Sequence, residues 1–138
     1  MIDAIWQGLA RLEERGCISA EEADVISVRS IRGFFRSELG RRMLASPEVH
    51  REWSFNLLLE GTQTLLQGVI DCAFREGDGW ILLDYKTDRV VDEEAFVQRY
   101  QPQLNWYATA LERITGRPVT EMWLYALGRS RAFPVPRT

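Results

Sequence analysis

Ile2, Ile5, Trp6, Leu9 and Leu12 recur at intervals of three and four, which gathers them on one face of a helix that Gly16 is placed to stop. Ser19-Ala20-Glu21-Glu22 has the form of a capping box and opens a second, short helix through about Val28. A third helical stretch carries Ile31, Phe34, Phe35, Leu39, Met43 and Leu44 and ends at Ser46-Pro47, because the residue before a proline is pushed out of the helical region. Residues 1–47 are therefore expected to be helical.

The period then changes to two. Val49, Arg51, Trp53, Phe55, Leu57 and Leu59 share one parity and His50, Glu52, Ser54, Asn56 and Leu58 the other, the signature of a strand. Glu60-Gly61-Thr62-Gln63 reads as a turn, Leu65 to Phe74 as a second strand, Gly77-Asp78-Gly79 as a tight turn and Trp80 to Tyr85 as a third strand, giving a meander. Helical spacing returns with Phe96, Val97 and Tyr100, then Leu104, Tyr107, Ala108 and Leu111. Pro102 is placed to start a fresh turn and Gly116 to terminate the helix. Glu121 to Ala126 closes as a strand, and Ala132 to Val135 adds a short edge strand bounded by Pro134 and Pro136. The element order of helices, three strands, helix and strand defines an α/β domain.

At 138 residues the chain is long enough for one core, and 46% apolar residues with 15 aromatics exclude disorder as its main theme. No apolar run is long enough to span a membrane, and Asp3, Glu13 and Glu14 stand where a signal peptide needs a basic start and an apolar middle, so the expectation is cytoplasmic. Cys17 and Cys72 lack the C-x-x-C spacing of zinc sites and redox pairs and are expected to be reduced thiols. A formal charge of −3 argues against a protein that simply coats DNA. It leaves open an enzyme whose carboxylates hold metal ions.

The candidate chemistry lies in the second and third strands. Asp84 and Lys86 are two apart on an extended chain and point to one face while Tyr85 points away. Asp71 interrupts the apolar run Leu65-Leu66, Val69-Ile70, Ala73-Phe74, where an acid needs a partner or a metal to offset desolvation. A hairpin of this length can bring Asp71 beside Asp84, and two carboxylates with a backbone carbonyl and retained waters suit Mg²⁺. A lysine beside such a site can orient the attacking water or stabilise charge on a phosphate. Taken alone, Asp84-Tyr85-Lys86 also fits an ordinary surface ion pair.

Gly68-Val69-Ile70-Asp71, Leu82-Leu83-Asp84-Tyr85-Lys86-Thr87-Asp88 and Gln103-Leu104-Asn105-Trp106-Tyr107 together resemble the G-x-I-D, D-Y-K-T-[DN] and Q-x-x-x-Y series of RecB-type nucleases in the PD-(D/E)XK superfamily. The likeness is greatest to the C-terminal nuclease domains of AddA-type helicase–nuclease subunits and covers about Arg51 to Phe133. It implies a restriction-endonuclease-like core at 48–138 behind N-terminal helices. It further implies a Mg²⁺-dependent deoxyribonuclease, with Mn²⁺ able to substitute, that hydrolyses phosphodiesters as part of an ATP-dependent helicase–exonuclease in double-strand break repair and recombination. By the resemblance Asp71, Asp84 and the Tyr85 carbonyl bind the metal, Lys86 is the catalytic lysine, and Gln103 and Tyr107 lie near the active site and the DNA backbone. No iron–sulfur cluster is expected in this chain.

The implied partners are DNA, chiefly single-stranded ends, helicase domains of the same full-length chain, and an AddB-like partner in a bacterial cytoplasm. The chain contains no phosphate-binding G-x-x-x-x-G-K-[ST] loop and no G-T-x-x-H-like histidine setting, so it is expected to be an N-terminally truncated piece of a larger protein. His50 is expected to be an ordinary strand residue. Glu52 is similar to the glutamate that precedes the metal hairpin in these nucleases, with an arginine-paired strand glutamate as the alternative. For Tyr107 the alternative is sheet packing, and for Gln103 capping of local backbone. Lys86, Arg89, Arg99, Arg129 and Arg131 are candidate phosphate contacts, Trp80, Trp106 and Trp123 candidate base-stacking rings, and Arg41-Arg42 a solvated face. Trp6, Trp53 and Trp123 occupy apolar phases that favour core packing. Rival readings are a nuclease-like domain kept for DNA binding or subunit docking, and a junction or restriction endonuclease of the same superfamily.

Overall fold

The computed structural model of the chain describes residues 32–59 and 61–138. The two helices expected before residue 31, with Trp6 and Cys17, lie outside the described residues. A helical stretch at 32–36 leads through a bend at Ser37 into α1 (Glu38–Ala45), so the period read as one helix is two pieces. The break is local chemistry. The Ser37 hydroxyl donates to the Phe34 carbonyl at 2.5 Å and accepts from the Gly40 N–H at 3.0 Å, which satisfies backbone groups that a continuous helix would pair. The two pieces then approach so closely that a Cβ on Gly40 would lie 1.9 Å from the Phe34 carbonyl oxygen.

β1 (Val49–Leu58), β2 (Leu65–Glu76) and β3 (Gly79–Lys86) form the expected antiparallel meander, with the tight turn at Gly77-Asp78 and Gly77 at a φ of +62°. α2 (Glu93–Thr115) then crosses one face of the sheet and returns the chain as β4 (Val119–Ala126), parallel to β3. Parallel neighbours cannot be joined by a hairpin, which is why a helix intervenes. A 3₁₀ turn (Leu127–Arg129) leads to β5 (Arg131–Pro134), antiparallel to β4. The result is an open five-stranded mixed sheet in the order β1-β2-β3-β4-β5. β3 lies at its centre and is buried along its whole length except at Lys86, which accounts for the unbroken apolar run Trp80-Ile81-Leu82-Leu83.

α2 begins at Asp92, whose carboxylate accepts from the Ala95 N–H at 3.2 Å, and ends at Gly116 in the left-handed conformation. Pro102 starts no new turn and stands inside this one helix. It is tolerated because Pro102 and Gln98 are both exposed, so water can take the carbonyl that the missing N–H leaves. One core, with Phe34, Leu39 and Met43, packs on Cys72, Phe74, Ile81, Leu83, Tyr85 and Tyr125. The other, with Phe96, Leu104, Ala108 and Leu111, packs on Ile70, Leu82, Leu124 and Phe133. Among the described residues no helix is long and apolar enough to cross a membrane.

Arg42 is not on a solvated face. Its guanidinium donates to both oxygens of Glu76 at 2.8 and 2.7 Å and to both oxygens of Glu121 at 2.9 and 2.6 Å, tying α1 to the ends of β2 and β4. Hydrogen bonding to Arg42 holds both carboxyls below their ordinary values against the opposing effect of burial. These groups stabilise the fold above the ordinary carboxylate range, and the contribution is lost as pH falls through their lowered values. Arg42→Ala should cost about 1 kcal/mol near neutral pH, as expected of a partly exposed bidentate pair. It should also flatten the acid limb of stability, as read by urea unfolding at neutral and acid pH; parallel limbs in wild type and variant would contradict this.

Candidate active site

The β1–β2 ladder keeps one register along its length, from Val49↔Phe74 to Leu58↔Leu65, whereas the β2–β3 ladder runs from Glu76↔Gly79 only as far as Cys72↔Leu83. Beyond Cys72, β2 leaves β3 and takes β1 with it. The side chains record the departure. Cys72 belongs to the core under α1, with Val49 packed against it, while Ile70 belongs to the core under α2, with Trp53 packed there. The strict alternation read from the sequence of β1 therefore changes face midway. The change falls at Glu52, which has a left-handed φ of +50° and stands between the pairs Arg51↔Cys72 and Trp53↔Ile70, opposite Asp71.

β3 stays in the sheet, held by parallel pairing of Asp84 with Leu124, Tyr85 with Tyr125 and Lys86 with Ala126. Its edge toward β2 is thus open beyond Leu83. The Tyr85 N–H points into that fork and donates to Asp71 Oδ2 at 3.0 Å, a side chain standing in for a ladder carbonyl. In an extended strand the carbonyl of a residue points to the same side as its N–H, which aims the Tyr85 carbonyl into the fork as well. The Tyr85 side chain lies in the opposite core against Phe34, and burial pushes its phenol well above its usual range.

Asp84 is only 4% exposed, and Lys86 Nζ lies 2.9 Å from its Oδ2. The same ammonium donates to Gln103 Oε1 at 3.0 Å and sits 4.1 Å above the centre of the Tyr100 ring. Gln103 in turn donates to the Tyr107 hydroxyl at 3.1 Å, and the Tyr107 ring meets Phe55 edge-on at 5.6 Å. Gly68 makes this possible, since a Cβ there would lie 2.9 Å from both the Phe55 and the Tyr107 rings. The structure thus brings Asp84, Lys86, Gln103 and Tyr107 into one connected series, with Asp71 joined to it through the Tyr85 backbone. Gln103 caps no local backbone in this arrangement, and Tyr107 both packs on the sheet side and engages the amide.

Among the described residues no cluster of three or more His, Cys, Asp and Glu side chains could hold a metal ion. The pair Asp71 and Asp84 is nevertheless a donor set that suits Mg²⁺, which keeps several waters and needs only one or two carboxylates. His50 stands 2.6 Å from Glu48 and stacks on Trp53 at 4.4 Å, as an ordinary strand residue would.

Of the other candidates, Arg99 pairs with Asp88 at 3.3 Å, and Arg129 and Arg131 pair with Glu93. Trp80 is 2% exposed and donates to Thr115, so it presents no stacking surface, and Trp123 is half-buried and donates to Glu121. Trp106 is 46% exposed. Cys72 is a free thiol, pushed up to about 12 by burial and therefore inert.

Sequence reasoning missed one contributor, Tyr100, and gave no role to Asp88, which closes the Asp84-Tyr85-Lys86-Thr87-Asp88 motif. The Tyr100 hydroxyl donates to both Asp88 oxygens at 2.8 and 2.7 Å. One signal was available in the helical spacing, since Tyr100, Gln103 and Tyr107 lie at i, i+3 and i+7 on one stripe. Another was composition: Lys86 is the single lysine of the chain, every other basic side chain apart from one histidine being arginine.

A family model for the PD-(D/E)XK nuclease superfamily matches residues 1–134, and the chain belongs to that superfamily. Nucleases of this class generally use divalent metal ions. The chain is similar to the AddA subunit of the ATP-dependent helicase/nuclease of Clostridium novyi, at 36% identity over 90% of this chain and 11% of that protein. The corresponding protein of Geobacillus kaustophilus is 40% identical over 91% and 12%, and that of Alkaliphilus metalliredigens 42% identical over 89% and 11%. The chain spans 11–12% of the length of these relatives.

Gly68→Ala should push apart Phe55 and Tyr107 and cost about 1–3 kcal/mol, the usual range for overpacking. Thermal unfolding measures it, and an unchanged midpoint would show that the contact can relax.

Proposed function

We propose that this chain is a metal-dependent deoxyribonuclease module that hydrolyses DNA phosphodiesters. The observation that carries the reading is the fork between β2 and β3, where Asp71 rests on the Tyr85 backbone and the buried Asp84 faces the chain's single lysine. Asp71, Asp84 and the Tyr85 carbonyl would hold a divalent cation, Mg²⁺ with Mn²⁺ as a substitute. When bound, that ion would supply Lewis-acid polarisation of the phosphodiester and a more acidic attacking water.

The chain's own residues do the remainder. Lys86 keeps a positive charge beside the buried carboxylate, where it can meet a phosphate oxygen as negative charge builds on it. Gln103 orients that ammonium through its amide oxygen, and Tyr107 fixes which way the amide faces. In hydrolysis, water oxygen forms the new bond to phosphorus and gives up one proton to solvent, the bridging P–O bond breaks, and the leaving oxygen takes one proton from solvent, so that one water is consumed for each bond cut. Arginine would serve poorly at position 86, because its charge is spread over a planar fork instead of concentrated in one compact ammonium.

The relatives are AddA subunits of ATP-dependent helicase/nucleases, which supports placing the module in a longer chain with helicase domains and a second polypeptide of the AddB type. There it would degrade single-stranded ends during break repair in a bacterial cytoplasm. Exonucleolytic action belongs to the same proposal.

The test is cleavage of a labelled single-stranded oligonucleotide in Mg²⁺ or Mn²⁺ by the full-length protein. Asp84→Asn and Lys86→Gln are each expected to lower the rate by about a thousandfold, the scale on which one preorganised electrostatic contact acts in catalysis. Asp84→Asn removes the buried charge and is expected to keep an unfolding midpoint close to wild type, whereas Lys86→Gln leaves the buried Asp84 carboxylate without its cation and is expected to lower the midpoint while the protein stays folded at assay temperature. Wild-type cleavage rates in both variants would refute these roles.

A further inference from the structure

The Lys86 ammonium has three neighbours: Asp84 Oδ2, ion-paired with it at 2.9 Å, Gln103 Oε1, which accepts its hydrogen bond at 3.0 Å, and the face of the Tyr100 ring at 4.1 Å from its centre. The first two come from residues already assigned to the site. The third is a ring with an anchor of its own. The Tyr100 hydroxyl donates to both oxygens of Asp88 at 2.8 and 2.7 Å, and Arg99, one residue before Tyr100, pairs with the same carboxylate at 3.3 Å. Asp88 lies two residues beyond Lys86 in the segment leaving β3, while Tyr100 lies on α2. The hydrogen bond therefore crosses from the helix to the chain just past the lysine.

A lysine side chain has four rotatable bonds and a strong tendency to seek water. Asp84 and Gln103 restrain the ammonium in two directions only. A ring closes the third side without competing for a proton, since the quadrupole attracts the cation and offers no lone pair in exchange. Leucine at position 100 would fill similar space and attract nothing.

We propose that Tyr100, anchored by Asp88, is a positioning residue for Lys86: its ring face holds the ammonium in line with Asp84 and Gln103. The proposal rests on the nuclease reading above and adds to it a residue that touches neither metal nor phosphate. Tyr100 acts through the lysine, so its loss lowers kcat and leaves the KM for DNA in place.

The experiment compares wild type, Tyr100→Phe, Tyr100→Leu and Lys86→Gln in two ways. In steady-state cleavage of a labelled single-stranded oligonucleotide by the full-length protein with Mn²⁺ or Mg²⁺, Tyr100→Leu is expected to lose about tenfold in kcat with KM unchanged. Tyr100→Phe, which keeps the ring and loses only its anchor, is expected to recover most of that loss. In the second measurement the 138-residue chain, grown with ¹³C-labelled lysine, gives a single Hε–Cε signal because it has a single lysine. The ring current should place that signal upfield of free lysine in wild type and Tyr100→Phe and return it to the free position in Tyr100→Leu.

The proposal is overturned if Tyr100→Leu cleaves as wild type, if Tyr100→Phe is as impaired as Tyr100→Leu, if the loss appears in KM alone, or if the lysine signal does not move in Tyr100→Leu. If Tyr100→Leu does not fold, an upfield lysine signal and near-wild-type kcat in Tyr100→Phe support the proposal, and a free-lysine position in that variant overturns it. Undiminished cleavage by Lys86→Gln defeats the role given to Lys86 in the nuclease reading, and the positioning role with it. Inactive Lys86→Gln beside fully active Tyr100→Leu defeats the positioning role alone.

Discussion

The hydrogen-bond ladder between β2 and β3 stops at Cys72↔Leu83, and the site exists because it stops there. A continued antiparallel ladder would occupy the N–H and carbonyl of Tyr85 with β2 backbone. It would also keep Asp71 in a row of buried side chains with no room for a carboxylate. With β2 turned away, Asp71 satisfies the Tyr85 N–H from its side chain, and no β2 backbone pairs with the edge of β3 at Asp84-Tyr85. A buried polar edge of this kind is costly unless polar groups complete it. In this fold, carboxylates, one ammonium and one amide do so.

Two devices keep the fork open. Glu52 adopts a left-handed backbone opposite Asp71 and turns the β1–β2 ribbon from one core to the other without a slip in register. Gly68 then lets the turned ribbon, with its own Phe55, come down on Tyr107 of α2, closing the second core beneath the site. The sheet does not unravel, because β4 holds β3 on its far side with parallel pairs through Lys86↔Ala126. The crossover by α2 makes that parallel pairing possible, and α2 is also the element that carries Tyr100, Gln103 and Tyr107. One connection serves both fold and site.

The electrostatics follow from the same arrangement. Asp84 is almost fully buried, and a buried carboxylate persists only when it is paired and hydrogen-bonded. Lys86 provides the charge, and α2 provides the groups that keep its flexible stem from drawing the ammonium out into water. Elsewhere the protein uses arginine for its ion pairs, as in the bidentate clamp of Arg42 on Glu76 and Glu121, where a rigid fork suits two carboxylates. A chain with sixteen arginines and one lysine thus places its compact cation at the one buried carboxylate of the described core.

Much of this was legible in the sequence for reasons of local physics. Periods of two and of three to four mark the meander, the long helix and the closing strand, since each element must turn one face inward. Gly116 and Gly77 mark an end and a turn, since only certain residues tolerate those backbones. The spacing of Asp84 and Lys86 set them on one face, and the fixed interval from Gln103 to Tyr107 set those two on one stripe of a helix. What local pattern could not supply was where β2 leaves β3, because a strand that departs has the same alternation as one that stays. The passage of α2 through Pro102 and the change of face at Glu52 belong to the same class. Each depends on what lies across from the residue and whether water can reach it. The neighbours of Lys86 are the clearest case: Asp84, Asp88 and Gln103 come from motifs, but Tyr100 is joined to them only by the packing of α2 on the end of β3, a contact that tertiary structure alone decides.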